Sequence, residues 1–357
     1  MVRNGEIELW RFIVALIIVD FHFRGDSVFL YGYLFHYGRV GVEFFFILSG
    51  YLLAAGAIKR SIGSPAATWH EIHQETFSLI KRRICSFLPE TWVACAIACC
   101  VYGLLIHPSC RLFFQQIVVT MFGNACFLSM SGLFRFQQGL NGPTWYLSTL
   151  LMGTCILYPL IRRWRVSPMM LVCGILLLGS IYINGQAIDC AGVAENWGIY
   201  KGNFRGIAEM LIGASLYPFI QTLKYATISG RGRITLTLMK WGMSLCLLAY
   251  ACNANLVGHN VGFAIVMICG MLILSFSEQC LDKTWYRHPF LSALGRFSLP
   301  LFLSHAFYAR FMLSCLPDGL PELCRYAVYG TCALVTALVV MYSARLLRGA
   351  FSYLWPA

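Results

Sequence analysis

Charged side chains are scarce in this sequence, at 12% of its 357 residues, whereas hydrophobic residues make up 59%. This small amount of polar surface cannot cover a globule in water. The composition therefore excludes an ordinary soluble domain and indicates a protein folded in lipid. The formal net charge is +12, but the basic residues stand in short clusters between apolar blocks. We assign these clusters to membrane topology and to contact with membrane lipids, and we expect no nucleic-acid partner.

The sequence also lacks a Cys-x-x-Cys pair, a signal-peptide cleavage site and an inverted repeat. The 16 cysteines include no Cys-x-x-Cys pair and mostly lie inside apolar blocks, so we expect buried thiols, no disulfide framework and no metal site. The first apolar block carries Arg11, Asp20 and His22 with no small-residue cleavage site after it, so we interpret it as a retained span rather than a signal peptide. No inverted repeat is detectable, and we expect one membrane domain over residues 1–357.

Apolar blocks of roughly 17 to 25 residues, the length of a helix that crosses a bilayer, recur along the chain. They predict an all-α fold, a polytopic membrane helical bundle of about ten transmembrane helices. The predicted spans are 7–23, 40–58, 84–106, 143–161, 168–184, 205–222, 235–252, 260–277, 290–313 and 325–344. Cytoplasmic N- and C-termini leave the larger share of Lys and Arg on the inner side, and this bias favours that orientation, which we expect in the cell membrane.

The segment 111–133 is the ambiguous stretch of this topology. It contains Gln115, Gln116, Gly123 and Asn124, which suit a hydrocarbon-facing helix poorly. A full crossing there would also move the basic cluster at 162–165 to the outer side. We therefore expect a re-entrant or interfacial segment on the outer side, and a polar inner loop from Lys59 to Arg83.

Four ionisable residues inside the predicted spans are candidates for a site, because such groups cost about 2.5 to 3.5 kcal/mol each in lipid and usually face the protein interior. Arg11 and His22 are eleven residues apart, which places them on one helix face about 16 Å from each other. Glu43 is expected at the depth of His22, where a carboxylate would orient the imidazole and raise its basicity. His305, in the outer half of the ninth span, completes the group.

Arg11 and the two histidines also have a structural interpretation. The arginine would extend to the headgroups, and the histidines would lie at a helix end or in an interhelical hydrogen bond. Asp20 lies about 200° round the helix from His22, so we expect it to pair structurally. Glu90 and Glu209 have no geometric link to the histidines, and we assign them to helix packing.

The segments around these residues resemble a known family. RFIVALIIVDFH, from Arg11 to His22, resembles the Arg-x10-His signature of the acyltransferase-3 family of membrane acyltransferases. GRVGVEFFFILSGYLLA resembles the second span of that family, with Glu43 and a Phe-rich run before Ser49. KRRICSFLPETW, residues 81–92, is similar to the basic-then-proline start of its third span.

A fourth segment agrees and a fifth departs. SLPLFLSHAF, which ends at Phe307, resembles the late Ser-x-x-x-Tyr-Leu-x-His element of the family, with Phe302 in the aromatic position. WYLSTL departs from the pattern Trp-Ser-Leu-x-x-Glu, because Leu150 stands at the glutamate position, and we assign Leu150 no role.

The resemblance implies transfer of an acetyl or other short acyl group from cytoplasmic acyl-CoA to a hydroxyl of an extracytoplasmic glycan or lipid-linked saccharide. It implies His22, Glu43 and His305 as the catalytic residues. His22 would act either as the general base or as a nucleophile that carries the acyl group, and the sequence does not separate these versions.

Five residues are candidates to bind substrate. Arg11, Arg82 and Arg83 would hold the phosphates or pantetheine of CoA, because guanidinium groups bind phosphate bidentately, although topology alone also explains the latter two. Ser49 would donate a hydrogen bond near the reacting carbonyl, and Trp145 would stack on a sugar ring, against the alternative that both simply pack.

A transporter or flippase for a sugar-linked lipid is the competing function. Buried Arg, Glu and His side chains would line its path equally well, but the missing inverted repeat argues against it. An inactive structural homologue is a third interpretation. Neither the acceptor nor the acyl chain length is specified by the sequence.

Overall fold

The computed structural model describes residues 4–23, 33–63, 68–117, 121–132, 140–183, 193–194, 199–253, 260–282, 288–317 and 319–354. Within these ranges the α-helices are α1 Gly5–His22, α2 Gly41–Gly63, α3 Trp69–Ile106, α4 Cys110–Gln116, α5 Phe122–Ala125, α6 Thr144–Trp164, α7 Pro168–Ile183, α8 Lys201–Tyr225, α9 Gly230–Cys252, α10 Val261–Ser277, α11 Pro289–Ser304 and α12 Glu322–Leu354. A short 3-10 turn, Gly38–Val40, leads into α2. Two antiparallel two-residue strands, β1 Val193–Ala194 and β2 Ile199–Tyr200, form the sheet of this described part.

Helices dominate as predicted, and ten of them coincide one for one with the predicted spans. Six are both long and apolar enough to cross a membrane: Gly38–Gly63, Trp69–Ile106, Thr144–Trp164, Gly230–Cys252, Pro289–Met312 and Glu322–Ala350. α7 and α10 are apolar but shorter, whereas α1 and α8 carry the charged residues of the site described below. That α1, α7, α8 and α10 also cross the membrane stays a prediction.

The predicted polar inner loop from Lys59 to Arg83 is wrong, because most of it is helical. α2 continues to Gly63, and α3 begins at Trp69 and runs for 38 residues. Such a helix is about 57 Å long, well beyond a hydrocarbon core of about 30 Å. A capping box starts α3, in which the backbone N–H of Thr68 donates to the Glu71 carboxylate at 2.6 Å. The polar stretch is therefore the part of α3 that extends past the apolar span.

The described part of the segment 111–133 includes two helical stretches, α4 and α5. Its polar groups are satisfied locally, since the amide of Asn124 donates to the carbonyl of Asn141 at 3.0 Å and the Ser129 hydroxyl donates to the Asn124 side-chain oxygen at 3.2 Å. Irregular backbone at membrane depth requires such partners. The expectation that this segment does not cross the membrane, and its depth there, stay predictions.

Ion pairs join the chain segments that the predicted topology places on the inner side. Glu75 of α3 accepts from Arg162 of α6 at 2.9 Å and from Arg60 of α2 at 3.0 Å. Lys240 of α9 is buried between carboxylates at the start of α1 and just after α10, at 2.9 and 2.8 Å. These contacts gather the ends of successive helices at one end of the bundle, as alternating helix directions require.

Glycines let the helices around the site pack at backbone distance. A Cβ at Gly50 would overlap the carbonyl of Met210, and a Cβ at Gly213 would overlap the backbone of α2, so α2 and α8 touch main chain to main chain. Small residues at helix crossings are the usual means of close packing in membranes. Gly295 of α11 similarly leaves room for the side chain of Glu8 from α1.

The cysteines differ from expectation in their burial. All fifteen described cysteines are free, but only Cys95 and Cys280 are buried, and most of the others lie exposed on helix surfaces. The prediction of buried thiols is therefore wrong for most of them. A thiol is a small apolar group, and the outer surface of a membrane bundle accepts it as readily as the core does.

Candidate active site

The two histidines predicted to share a site are in contact. His22 ends α1 and His305 follows α11, with ring centroids 4.7 Å apart and with Nε2 of His305 3.2 Å from Nδ1 of His22. His305 is fully buried and His22 is half-buried. Beyond His305 the chain makes a π-helical turn, Tyr308–Met312, a geometry that is frequent at functional sites.

The backbone determines which nitrogen of His22 carries the proton. Nδ1 lies 2.8 Å from the carbonyl oxygen of Ile18, which can only accept, so the neutral ring has its hydrogen on Nδ1 and its lone pair on Nε2. The same Nδ1–H faces Nε2 of His305, which therefore accepts. Nε2 is thus the basic nitrogen of His22.

Asp20 holds the chain beside this pair. Its carboxylate, which is buried, accepts the backbone N–H groups of Tyr33, Leu34 and Phe35 at 3.2, 3.0 and 2.7 Å. Three such donors satisfy a carboxylate without a cation. The predicted structural role of Asp20 is confirmed.

Glu43 does not pair with His22, and that part of the prediction is wrong. Its Oε1 accepts from Nη2 of Arg205 at 2.5 Å, and Nε of Arg205 also donates to Glu209 at 3.3 Å. A guanidinium from α8 thus takes the place expected for an imidazole. Glu209, predicted to be a packing residue, belongs to the same cluster. The spacing of Arg205 and Glu209 by four residues signals their pairing on one helix face, but nothing in the sequence links that pair to Glu43.

The three arginines predicted to bind the donor lie in different surroundings. Arg83 is half-buried and donates to a threonine hydroxyl of α6, and Arg11 pairs with Glu8 at 3.1 Å while 31% of its side chain is exposed. Both guanidinium groups lie within electrostatic reach of the Tyr146 hydroxyl. Arg82 is exposed, and the structure does not bring it to this group.

Ser49 meets a tyrosine that the sequence did not single out. The hydroxyls of Ser49 and Tyr146 are 3.3 Å apart, and the Tyr146 ring packs against Phe46 and Phe302 with centroids at 4.5 and 5.7 Å. Phe302 in turn lies 5.9 Å from the ring of His305. A row of aromatic rings therefore joins the two hydroxyls to the histidines. The signal available for Tyr146 is its position at the serine of the Trp-Ser-Leu pattern, from which this chain departs.

Trp145 is in the core rather than at an open surface. Only 9% of it is exposed, and its ring packs against Phe46 with centroids 5.9 Å apart. This geometry matches the packing alternative and not stacking on a sugar. Leu150, at the family's glutamate position, is also buried.

Comparison with known proteins agrees with the sequence resemblance. The family model described as the acyltransferase domain of the acyltransferase-3 group matches residues 4–343, nearly the whole chain. No curated protein and no solved structure matches the chain. Six helices long and apolar enough to cross a bilayer accompany that match. The chain therefore belongs to the acyltransferase-3 family and is an integral membrane acyltransferase.

Proposed function

We propose that this acyltransferase moves an acetyl or other short acyl group from acyl-CoA on the cytoplasmic side to a hydroxyl of a glycan or lipid-linked saccharide on the outer side. The observation that carries the proposal is the contact between His22 and His305. It places a basic imidazole nitrogen at one end of a row of rings whose other end, at Tyr146, lies near two arginines.

The arginine end suits the donor. Arg11 and Arg83 offer guanidinium groups, which bind phosphate and carbonyl oxygens through paired N–H groups. The rise of α1 from Arg11 to His22 is about 16 Å, a separation suited to the extended pantetheine arm of CoA. A thioester carbonyl held between His22 and the hydroxyls of Ser49 and Tyr146 would receive hydrogen bonds from these hydroxyls as negative charge develops on its oxygen.

The histidine end suits the chemistry. As the acceptor oxygen attacks the thioester carbonyl, Nε2 of His22 takes the hydroxyl proton, the C–S bond breaks, and the departing CoA thiolate receives that proton. His305 accepts a hydrogen bond from Nδ1–H of His22 throughout, which orients the ring and stabilises the transient imidazolium.

The covalent version uses the same nitrogen. Nε2 of His22 would attack the carbonyl itself, the Nδ1 proton would pass through His305 to the leaving thiolate, and an acyl-imidazole would remain. Attack by the acceptor hydroxyl would then release the ester and return its proton to the imidazole. Because CoA never crosses the membrane in this version, the two half-reactions are separated in time.

The test is incubation of the purified protein with acetyl-CoA radiolabelled in the acetyl group. We expect release of free CoA thiol or label on the protein, and we expect His22→Ala to reduce both by at least about 10²–10⁴-fold, the contribution of a general base. His70→Ala, a change at an exposed histidine of α3, is the matched control and should behave as the wild type. Undiminished turnover by well-folded His22→Ala would overturn the assignment, and a flippase would neither release thiol nor carry label.

A further inference from the structure

A buried cluster of three charged residues lies where α2 meets α8. Glu43 of α2 and Arg205 and Glu209 of α8 have side-chain exposures of 2%, 4% and 0%. Arg205 donates through Nη2 to Oε1 of Glu43 at 2.5 Å and through Nε to Oε1 of Glu209 at 3.3 Å. The second carboxyl oxygen of each acid, Oε2, is buried and makes no hydrogen bond within the described part of the chain.

The cluster has more negative than positive charge if both acids are ionised. Two carboxylates against one guanidinium leave a net charge of −1 inside the bundle. Tyr250 lies within electrostatic reach of Glu43 and of Arg39, and Tyr146 lies within reach of Glu209. Both tyrosines carry uncharged hydroxyls and do not offset the charge. Arg39 contributes its backbone carbonyl to Arg205 at 3.5 Å, and its guanidinium forms no ion pair with either acid among the described residues. A buried carboxylate without a counter-charge takes up a proton.

We propose that this cluster binds one proton, held by Glu209, so that the interior contains one Glu43–Arg205 ion pair and one neutral carboxyl group. We assign the proton to Glu209 because its side chain has no exposed surface and its contact with Arg205 is the longer of the two, whereas ionised partners make the shorter contact. The bound proton also gives the buried Oε2 of Glu209 a hydrogen to donate. Oε2 of Glu43 is an unused acceptor in the same cluster.

A single bound proton makes Glu43 a positioning residue. Its carboxylate is paired with Arg205, so it serves neither as base nor as nucleophile. The ion pair also holds α2 against α8, which touch at Gly50. Gly50 directly follows Ser49 in the sequence. The cluster therefore holds the helix that presents Ser49, and its charge state does not depend on which reaction the protein catalyses.

The two acids depend on each other in this arrangement. With Glu209→Gln, the remaining Glu43 is ionised opposite Arg205, and with Glu43→Gln, Glu209 loses its proton and becomes the partner of Arg205. Removal of either carboxyl group therefore removes the proton. A carboxyl group that is neutral only because it is buried would keep its proton in the Glu43→Gln variant.

Infrared difference spectra of the purified protein in H2O and D2O test this directly, because a protonated carboxyl group has its own carbonyl stretching band. We expect one such band in the wild type that is lost both in Glu209→Gln and in Glu43→Gln. Glu90→Gln, a change at a buried acid paired with Arg348 elsewhere, is the control and should leave that band in place. A spectrum unchanged in Glu209→Gln, or a band that persists in Glu43→Gln, would overturn the proposal.

A second measurement compares thermal unfolding temperatures and needs no infrared spectrum. Arg205→Met leaves Glu43 without its counter-charge, so Glu43 must either stay charged in the interior or take up a second proton. Both cost free energy in the folded state, so the thermal unfolding temperature in detergent should fall. Adding Glu43→Gln removes that cost and leaves a neutral Glu209, so the double variant should unfold at a higher temperature than Arg205→Met. A double variant no more stable than Arg205→Met contradicts the single-proton cluster. Both tests are independent of acyl transfer, so their failure and a failure of the proposed function are distinguishable.

Discussion

At the proposed reaction centre, neutral groups orient His22 where a carboxylate was expected. The Ile18 carbonyl and the His305 ring fix its tautomer, but they stabilise a developing imidazolium less than an anionic partner does. Under the proposed function, catalysis would therefore rely more on donors to the thioester carbonyl. Ser49 and Tyr146 are the hydroxyls that we propose for that role.

Tyr146→Phe keeps the ring that packs against Phe46 and removes only its hydroxyl. We expect the rate of CoA release to fall by up to about 10²–10³-fold, as for the loss of one oxyanion donor. Stability should fall by only about 1 kcal/mol, the net value of one hydrogen bond. Ser49→Ala combined with Tyr146→Phe should cost little more than either change alone, because the hydroxyls act as a pair.

The measurements are steady-state CoA release and thermal unfolding of the same preparations. Trp145→Phe serves as the control, since it keeps an aromatic ring in the core and removes no group from the hydroxyl pair. Full activity of Tyr146→Phe would exclude the hydroxyl from the chemistry.

The proximity of the two histidines was more predictable from the sequence than the partner of Glu43. Span direction predicted His305 near the depth of His22, and the contact between the two rings confirms that they lie together. The partner of Glu43 could not be predicted from the sequence. The register of α2 against α8 depends on close backbone packing at Gly50, which no local sequence pattern encodes.

At the scale of helices, α1 and α11 run in the same direction and touch at two places. Glu8, near the start of α1, lies against Gly295, and His22, at the end of α1, meets His305. Glu8 also binds Arg11 at 3.1 Å. The packing of α11 therefore controls the position of the arginine that we propose to hold the donor.

Gly295→Ala tests this coupling from a residue that touches neither substrate nor Arg11. A Cβ at this position would overlap the carboxylate of Glu8, so Glu8 must move and Arg11 loses its partner. We expect the KM for acetyl-CoA to rise while kcat changes less, because binding rather than chemistry is affected. Gly242→Ala in α9, where a Cβ meets nothing within 4 Å, is the control. Equal KM values for the two variants would contradict the coupling.

Hydropathy located the apolar core of each long helix but not its ends. The apolar blocks report where lipid surrounds the chain, whereas the capping box at Thr68 and the absence of a helix breaker before Pro89 extend α3 well beyond its apolar part. The same limit applies to 111–133, because composition does not show that Asn124 and Ser129 find hydrogen-bond partners within the fold.

At the scale of the whole molecule, charge is distributed unequally between the two ends. The contacts of Glu75 with Arg60 and Arg162, together with the buried Lys240, mark one end of the bundle. The excess of basic residues predicts that this end faces the cytoplasm. The histidine pair belongs to segments predicted at the opposite, outer end of the bundle. Under the proposed function, donor and acceptor therefore approach from opposite sides of the membrane.

Sidedness of the reaction in membrane vesicles tests that central claim most directly. Inverted and right-side-out vesicles from cells that produce the protein are supplied externally with acetyl-CoA labelled in the acetyl group, and esterified label is measured. We predict labelling in inverted vesicles, where acetyl-CoA reaches the end that carries Glu75, little labelling in right-side-out vesicles, and none with His22→Ala in either. Equal labelling from both faces, or undiminished labelling with His22→Ala, would contradict the account.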